Sequence, residues 1–76
     1  MNSKELFPQV LRINKVAQII GMSRTSVYDF INPKSPRYDP DFPQQLRLST
    51  SPRGAVGWRS DEIYAWLDTR QRAHNS

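Results

Sequence analysis

Apolar residues recur at Leu11, Ile13, Val16, Ala17, Ile19 and Ile20, a set containing the i, i+3, i+4 spacing of one helical face, with Asn14 placed to act as an N-cap. The pattern predicts a short first helix over about residues 15–20. Gly21 follows the last apolar residue, where freedom to adopt positive φ ends a helix and turns the chain. Ser23 then offers a second N-cap. Val27, Phe30 and Ile31 give a second helix, over about residues 24–31, an apolar face until Asn32 and Pro33 stop it.

Beyond Pro33 the helical period disappears. Residues 33–43 contain Pro33, Pro36, Pro40 and Pro43, with Lys34, Arg37, Asp39 and Asp41 among them, which excludes regular structure and predicts a long loop. Strict alternation over Gln45–Ser49 and again over Ala55–Arg59, where Val56 and Trp58 share a face, predicts two short strands. The intervening Thr50-Ser51-Pro52-Arg53-Gly54 has the composition of a hairpin turn with Arg53 at its tip. Ser60 is the expected N-cap of a third helix. Asp61 and Glu62 stand in its first turn, Ile63, Trp66 and Leu67 on its buried face, and Arg70 and Arg72 at its C-terminal end. Residues 1–9, with Pro8 and little periodicity, read as a flexible arm able to dock Leu6 or Phe7, and 73–76 as a disordered tail. Residues 10–72 form one domain, mainly α with a small β-hairpin.

Length and composition narrow the chemistry. A chain of 76 residues removes only about 60% of its unfolded surface on folding, so a thin core without a deep substrate cavity is expected. There is no Cys and the single His is His74, which argues against disulfides, zinc fingers and Cys/His nucleophile chemistry; no catalytic residue, metal ligand or cofactor is expected. The first 20 residues lack a signal-type apolar core, so an intracellular, cytoplasmic chain is expected. The formal net charge is +4, and eight of the 11 basic residues are Arg, whose planar fork suits phosphate and guanine edges. Residues 33–59 alone carry +3, while 60–76 carry −1.

The first two predicted helices meet the requirements of a helix-turn-helix. The small Ala17 lies four positions before the turn glycine, flanked by Val16 and Ile20; Gly21 turns the chain; Met22 is the expected apolar plug into the core; Val27 and Phe30 hold the second helix from inside. On this register Ser23, Arg24, Thr25, Tyr28, Asp29 and Asn32 face outward, toward DNA. Arg24 suits guanine or phosphate, Thr25 and Ser26 suit phosphate or a thymine methyl, and Tyr28 suits phosphate or sugar. Asp29 either accepts from a cytosine amino group or pairs with Arg24 or Lys15. The hairpin then stands as a wing offering Arg47, Arg53 and Arg59 to the backbone, with Arg59 also in reach of the acidic start of the third helix. The spacing of Phe30, Trp58 and Trp66 fits core packing better than base stacking.

The run from Leu11 to Tyr28, together with Gly57-Trp58-Arg59-Ser60-Asp61-Glu62-Ile63 and Ala65-Trp66-Leu67, resembles the AlpA family of prophage transcriptional regulators over about residues 10–70. The resemblance implies a winged helix-turn-helix related to excisionases and to the DNA-binding domain of MerR-type regulators. Asp41-Phe42-Pro43 matches the family's phrase before the wing, whereas 33–40 is longer and richer in proline, with Lys34 and Arg37 as an additional backbone contact. The implied function is sequence-specific regulation of prophage or integrase genes on double-stranded DNA, with self-association on DNA and integrase or RNA polymerase as candidate protein partners. Two alternatives use the same chain: an excisionase-type architectural factor that bends DNA, and a protein-interaction adaptor.

Overall fold

The computed structural model describes residues 8–51 and 54–70. Most of the expected arm, the tail, Arg53 and Arg72 lie outside these residues. The chain runs through β1 (Val10–Leu11), α1 (Ile13–Ile20), α2 (Arg24–Ile31), β2 (Leu46–Arg47), β3 (Val56–Arg59) and α3 (Ser60–Asp68). None of the described helices is long and apolar enough to cross a membrane.

The expected hairpin is part of a three-stranded antiparallel sheet of order β1-β3-β2. Val10 pairs with Arg59 and Leu11 with Trp58, while Leu46 pairs with Gly57 and Arg47 with Val56. Leu11, which lies before the expected first helix, therefore belongs to a strand. A two-residue strand is too short to show alternation, and only its pairing with β3 defines it. Gln9 is tied down as well, donating its N–H to the Ser60 hydroxyl at 2.7 Å, so the expected arm ends before it.

Helix α1 starts at Ile13, two residues earlier than expected. Arg12, extended at φ −84° and ψ 168°, is the residue before the helix, and Asn14 is an exposed first-turn residue instead of the cap. At the other end Gly21 takes φ 73° and ψ 30°. Its N–H reaches the Gln18 carbonyl at 3.3 Å and that of Met22 reaches Ala17 at 3.0 Å, the paired bonds of a Schellman cap. Met22 contributes this N–H; the residue is 42% exposed and outside the core cluster, so it is not the core plug that was expected.

Ser23 caps α2 as expected, its Oγ accepting the Ser26 N–H at 3.1 Å. Asn32 ends the helix, because Pro33 disfavours helical geometry in the residue before it, and Asn32 is extended at φ −96° and ψ 110°. For α3 the residue before the first turn is Arg59, not Ser60. Ser60 already lies in the helix, and its hydroxyl serves Gln9.

The core gathers Leu11, Val16, Ala17, Val27, Phe42, Trp58, Ile63 and Trp66. Val16, Val27, Trp58 and Ile63 are fully buried; burial of a large apolar side chain contributes about 1.5–3 kcal/mol. Phe42 brings the proline-rich segment into this core. Its ring lies 5.3 Å from Phe30 and 4.8 Å from Trp66, centroid to centroid, and Trp66 lies 5.5 Å from Phe30. The long loop is thus irregular, as expected, but packed against the core, and Trp58 and Trp66 are core residues with Phe30 packed half-buried against them, as their spacing suggested.

Candidate nucleic-acid interface

The inner face of α2 is fixed first. Val27 is buried against α1 and the core, and Phe30 packs on Phe42 and Trp66. The opposite face is left to solvent, where Ser23, Arg24, Thr25, Tyr28 and Asn32 are exposed and Asp29 is half-buried. Tyr28 keeps 46% of its surface accessible. Ser26 does not join this face: it is buried, and its Oγ lies 3.1 Å from the Ser23 Oγ inside the cap. A residue at N3 of a capped helix points back toward its cap, which the outward reading of Ser26 overlooked.

Charge on this face is uncommitted. Among the described residues, neither Arg24 nor Lys15 forms an ion pair with Asp29, so the intramolecular role suggested for Asp29 is not made here. The ion pairs lie elsewhere. Arg59 grips Asp61 with Nε to Oδ1 at 3.1 Å and Nη2 to Oδ2 at 2.9 Å, bridging the end of β3 and the first turn of α3. This hydrogen bonding lifts the Arg59 guanidinium above its ordinary value and holds the Asp61 carboxyl below the usual range. Of the three wing arginines, Arg59 is therefore engaged with α3. Arg47 is exposed on β2, with Nη1 donating to the Ser51 carbonyl at 3.5 Å, and Arg53 lies outside the described residues.

At the far end of α2 the basic segment is built of successive turns. Asn32 Oδ1 accepts the Lys34 N–H at 3.0 Å and the Asn32 carbonyl accepts that of Ser35 at 2.9 Å. Ser35 then accepts from Arg37 at its Oγ and from Tyr38 at its carbonyl. Lys34 and Arg37 are both exposed. The turns close on Asp39, whose N–H donates to Phe30 in the last turn of α2 at 2.9 Å.

Asp39 is the residue that sequence reasoning missed. Its Oδ2 accepts from Trp66 Nε1 at 3.0 Å and from Arg70 Nη1 at 3.2 Å, and its Oδ1 accepts the Asp41 N–H at 2.9 Å. Burial alone would raise this carboxyl, but the N–H groups of Asp41 and Trp66, the Arg70 charge and the N–H of Phe42 outweigh it and hold Asp39 below the usual carboxylate range. Arg70 also sits 4.6 Å above the Trp66 ring. Trp58 completes the attachment by donating to the Pro43 carbonyl at 3.1 Å. The available signal was Asp39-Pro40-Asp41-Phe42-Pro43 itself, in which an isolated aromatic residue among prolines marks an anchor.

Between this segment and α3 runs a groove of about 550 Å³, lined in part by Pro40, Pro43, Leu46 and Ala65. The charged residues in its lining are Asp41 and Glu62, which makes it unsuited to a polyanion. It is an open groove at the surface and not the deep substrate cavity that a thin core was expected to exclude. The groove exists because the proline-rich segment packs as an extra layer beside α3, and not because the core is hollow.

Comparison with known proteins bears on the same stretch of chain. Residues 9–71 match the family model described as prophage CP4-57 regulatory protein (AlpA). The chain belongs to the AlpA family. Within that family it is 45% identical over 62 residues to the DNA-binding transcriptional activator AlpA of Escherichia coli K12, covering 82% of this chain and 84% of the relative. The AlpA match spans the helix-turn-helix, the proline-rich segment, the wing and α3 together, so the three helices and small sheet form the family domain. No solved structure matches the chain.

Proposed function

We propose that this chain is a sequence-specific, double-stranded DNA-binding transcriptional regulator that lays α2 in the major groove and the β2–β3 hairpin on the adjacent backbone. One observation carries the reading: α2 is locked along its inner face by Val27 and Phe30, while Arg24, Thr25 and Tyr28 stand exposed on its outer face. A helix held rigidly from behind with uncommitted donors in front is what groove reading requires. The Escherichia coli relative, named as a DNA-binding transcriptional activator, supports it.

In this reading Ser23, Arg24, Thr25, Tyr28, Asp29 and Asn32 form the groove face, and Lys34, Arg37, Arg47 and Arg53 reach phosphate. Prophage or integrase genes are the targets, in the cytoplasm at the nucleoid, with integrase or RNA polymerase as protein partners. A single module of this type covers only about 600–1,000 Å², so strong regulation calls for self-association on DNA.

Fluorescence anisotropy with upstream and random-sequence duplexes across a salt series tests this. A slope of log affinity against log salt of about −4 to −6, with preference for one sequence, is expected. Bending of the bound duplex together with a requirement for integrase would reassign the same surface to an excisionase-type role. Absence of binding at low salt would overturn the DNA reading and leave a protein-interaction adaptor.

A further inference from the structure

We propose that Asp39 is a positioning residue for DNA binding: it fixes the turns at 32–38 so that Lys34 and Arg37 form a preformed phosphate-binding patch beside the C-terminal end of α2. The inference rests on the DNA-binding reading above and adds a residue that would touch no DNA.

Three elements meet at Asp39. Its backbone N–H bonds Phe30 of α2, its Oδ1 bonds Asp41 in the same segment, and its Oδ2 bonds Trp66 and Arg70 at the end of α3. The side chain retains only 16% exposure. The segment it closes begins at Asn32, the cap of α2, and each turn in between is hydrogen-bonded. Both ends of 32–38 are thus held, one by the recognition helix and the other by α3 through Asp39. Lys34 and Arg37 project from this frame, and neither makes an ion pair with a described residue.

A basic loop that is already ordered loses less freedom when it meets phosphate than a mobile loop carrying the same charges. Ordering a mobile loop at an interface costs free energy that a preformed loop has already met. Releasing Asp39 would return that cost to the binding step without removing either cation.

The sign of the effect separates positioning from simple electrostatics. Asp39 is an anion near the basic patch, so neutralising it should tighten binding to a polyanion if charge alone mattered. Positioning demands the reverse. The test is a double-mutant cycle in the full chain, read by anisotropy with a random-sequence duplex across a salt series.

Lys34→Gln with Arg37→Gln should flatten the salt slope by about 2. Asp39→Asn, which keeps the shape and one acceptor oxygen, should weaken binding about 3- to 10-fold. In the Lys34→Gln, Arg37→Gln background it should have no further effect, because nothing remains to be positioned. Should Asp39→Asn fail to fold, Trp66→Phe removes one donor to the same carboxylate and carries the same cycle.

Equal or tighter binding by Asp39→Asn overturns the proposal, and so does equal weakening in both backgrounds, which is the mark of a merely structural role. An unchanged salt slope in the Lys34→Gln, Arg37→Gln variant, with the unsubstituted chain still binding, also overturns it while leaving the DNA reading intact. Failure of the unsubstituted chain to bind duplex would instead remove the DNA reading itself.

Discussion

Ser60 and Gln9 exchange a reciprocal pair of hydrogen bonds: the Ser60 N–H donates to the Gln9 carbonyl at 2.7 Å, and the Gln9 N–H donates to the Ser60 hydroxyl at 2.7 Å. The pair continues the β1–β3 ladder past Val10 and Arg59 and joins the start of the described chain to the first turn of α3. Ser60→Ala removes the acceptor for the Gln9 N–H. The expected loss is about 1–2 kcal/mol, and thermal unfolding should show it as a midpoint lower by several degrees. Affinity for DNA, measured where the variant is fully folded, should not change.

The glycines at 21 and 57 are needed for different reasons, and alanine substitution should distinguish them. At Gly21 a Cβ would meet nothing within 4 Å, so Gly21→Ala costs only the strain of φ 73°, about 1–2 kcal/mol. At Gly57 a Cβ would lie 2.6 Å from Val10 Cγ1 and 2.9 Å from the Leu11 carbonyl oxygen. Because that oxygen belongs to the paired strand, Gly57→Ala must displace β1. Chemical denaturation should find Gly57→Ala the more destabilising of the two.

On α2, neighbouring residues should separate binding from stability. Arg24→Ala removes an exposed side chain without a described ion pair, so the unfolding midpoint should stay in place. Its affinity for the preferred duplex should fall by about 1–3 kcal/mol and its sequence preference should relax. Ser23→Ala deletes the cap to Ser26 and should cost about 1 kcal/mol of stability. Affinity changes confined to Ser23→Ala, with none in Arg24→Ala, would contradict the placement of α2 in the groove.

Acid should loosen the proline-rich segment. The Asp39 carboxyl titrates lower in the folded chain than in the unfolded one, so its contribution to stability is fully present above the ordinary carboxylate value of about 3.9. The contribution is lost as pH falls through that value toward the lower folded one. Melting curves should therefore show the unfolding midpoint of the unsubstituted chain dropping below about pH 4 more steeply than that of Asp39→Asn, which lacks this titration.

Much of the architecture was readable because the information is local. Gly21 after an apolar helical face, Ser23 at the head of the next, and Asn32-Pro33 at its end each act through residues within one or two turns, and α2 has the bounds this chemistry implies. The outward stripe of α2 follows from the same periodicity, apart from Ser26, whose position in the cap turns it inward. The core roles of Trp58 and Trp66 were likewise legible from spacing.

What remained hidden depends on contacts between distant parts of the chain. Val10 and Leu11 are a strand only because Trp58 and Arg59 lie opposite them, and Ser60 serves Gln9 and not its own helix. The segment 33–43 read only as a long irregular loop, because its prolines exclude regular hydrogen bonding. It is ordered instead by Phe42 in the core and by Asp39 bound to Trp66, 27 residues away. Sequence alone therefore determined the two helices, their turn and the face left for a partner, since backbone geometry and amphipathic period are properties of neighbouring residues. The edge strand, the packed proline segment and the fixed position of its cations were decided by tertiary structure, because side chains far apart in the chain supply the partners their polar and apolar groups require.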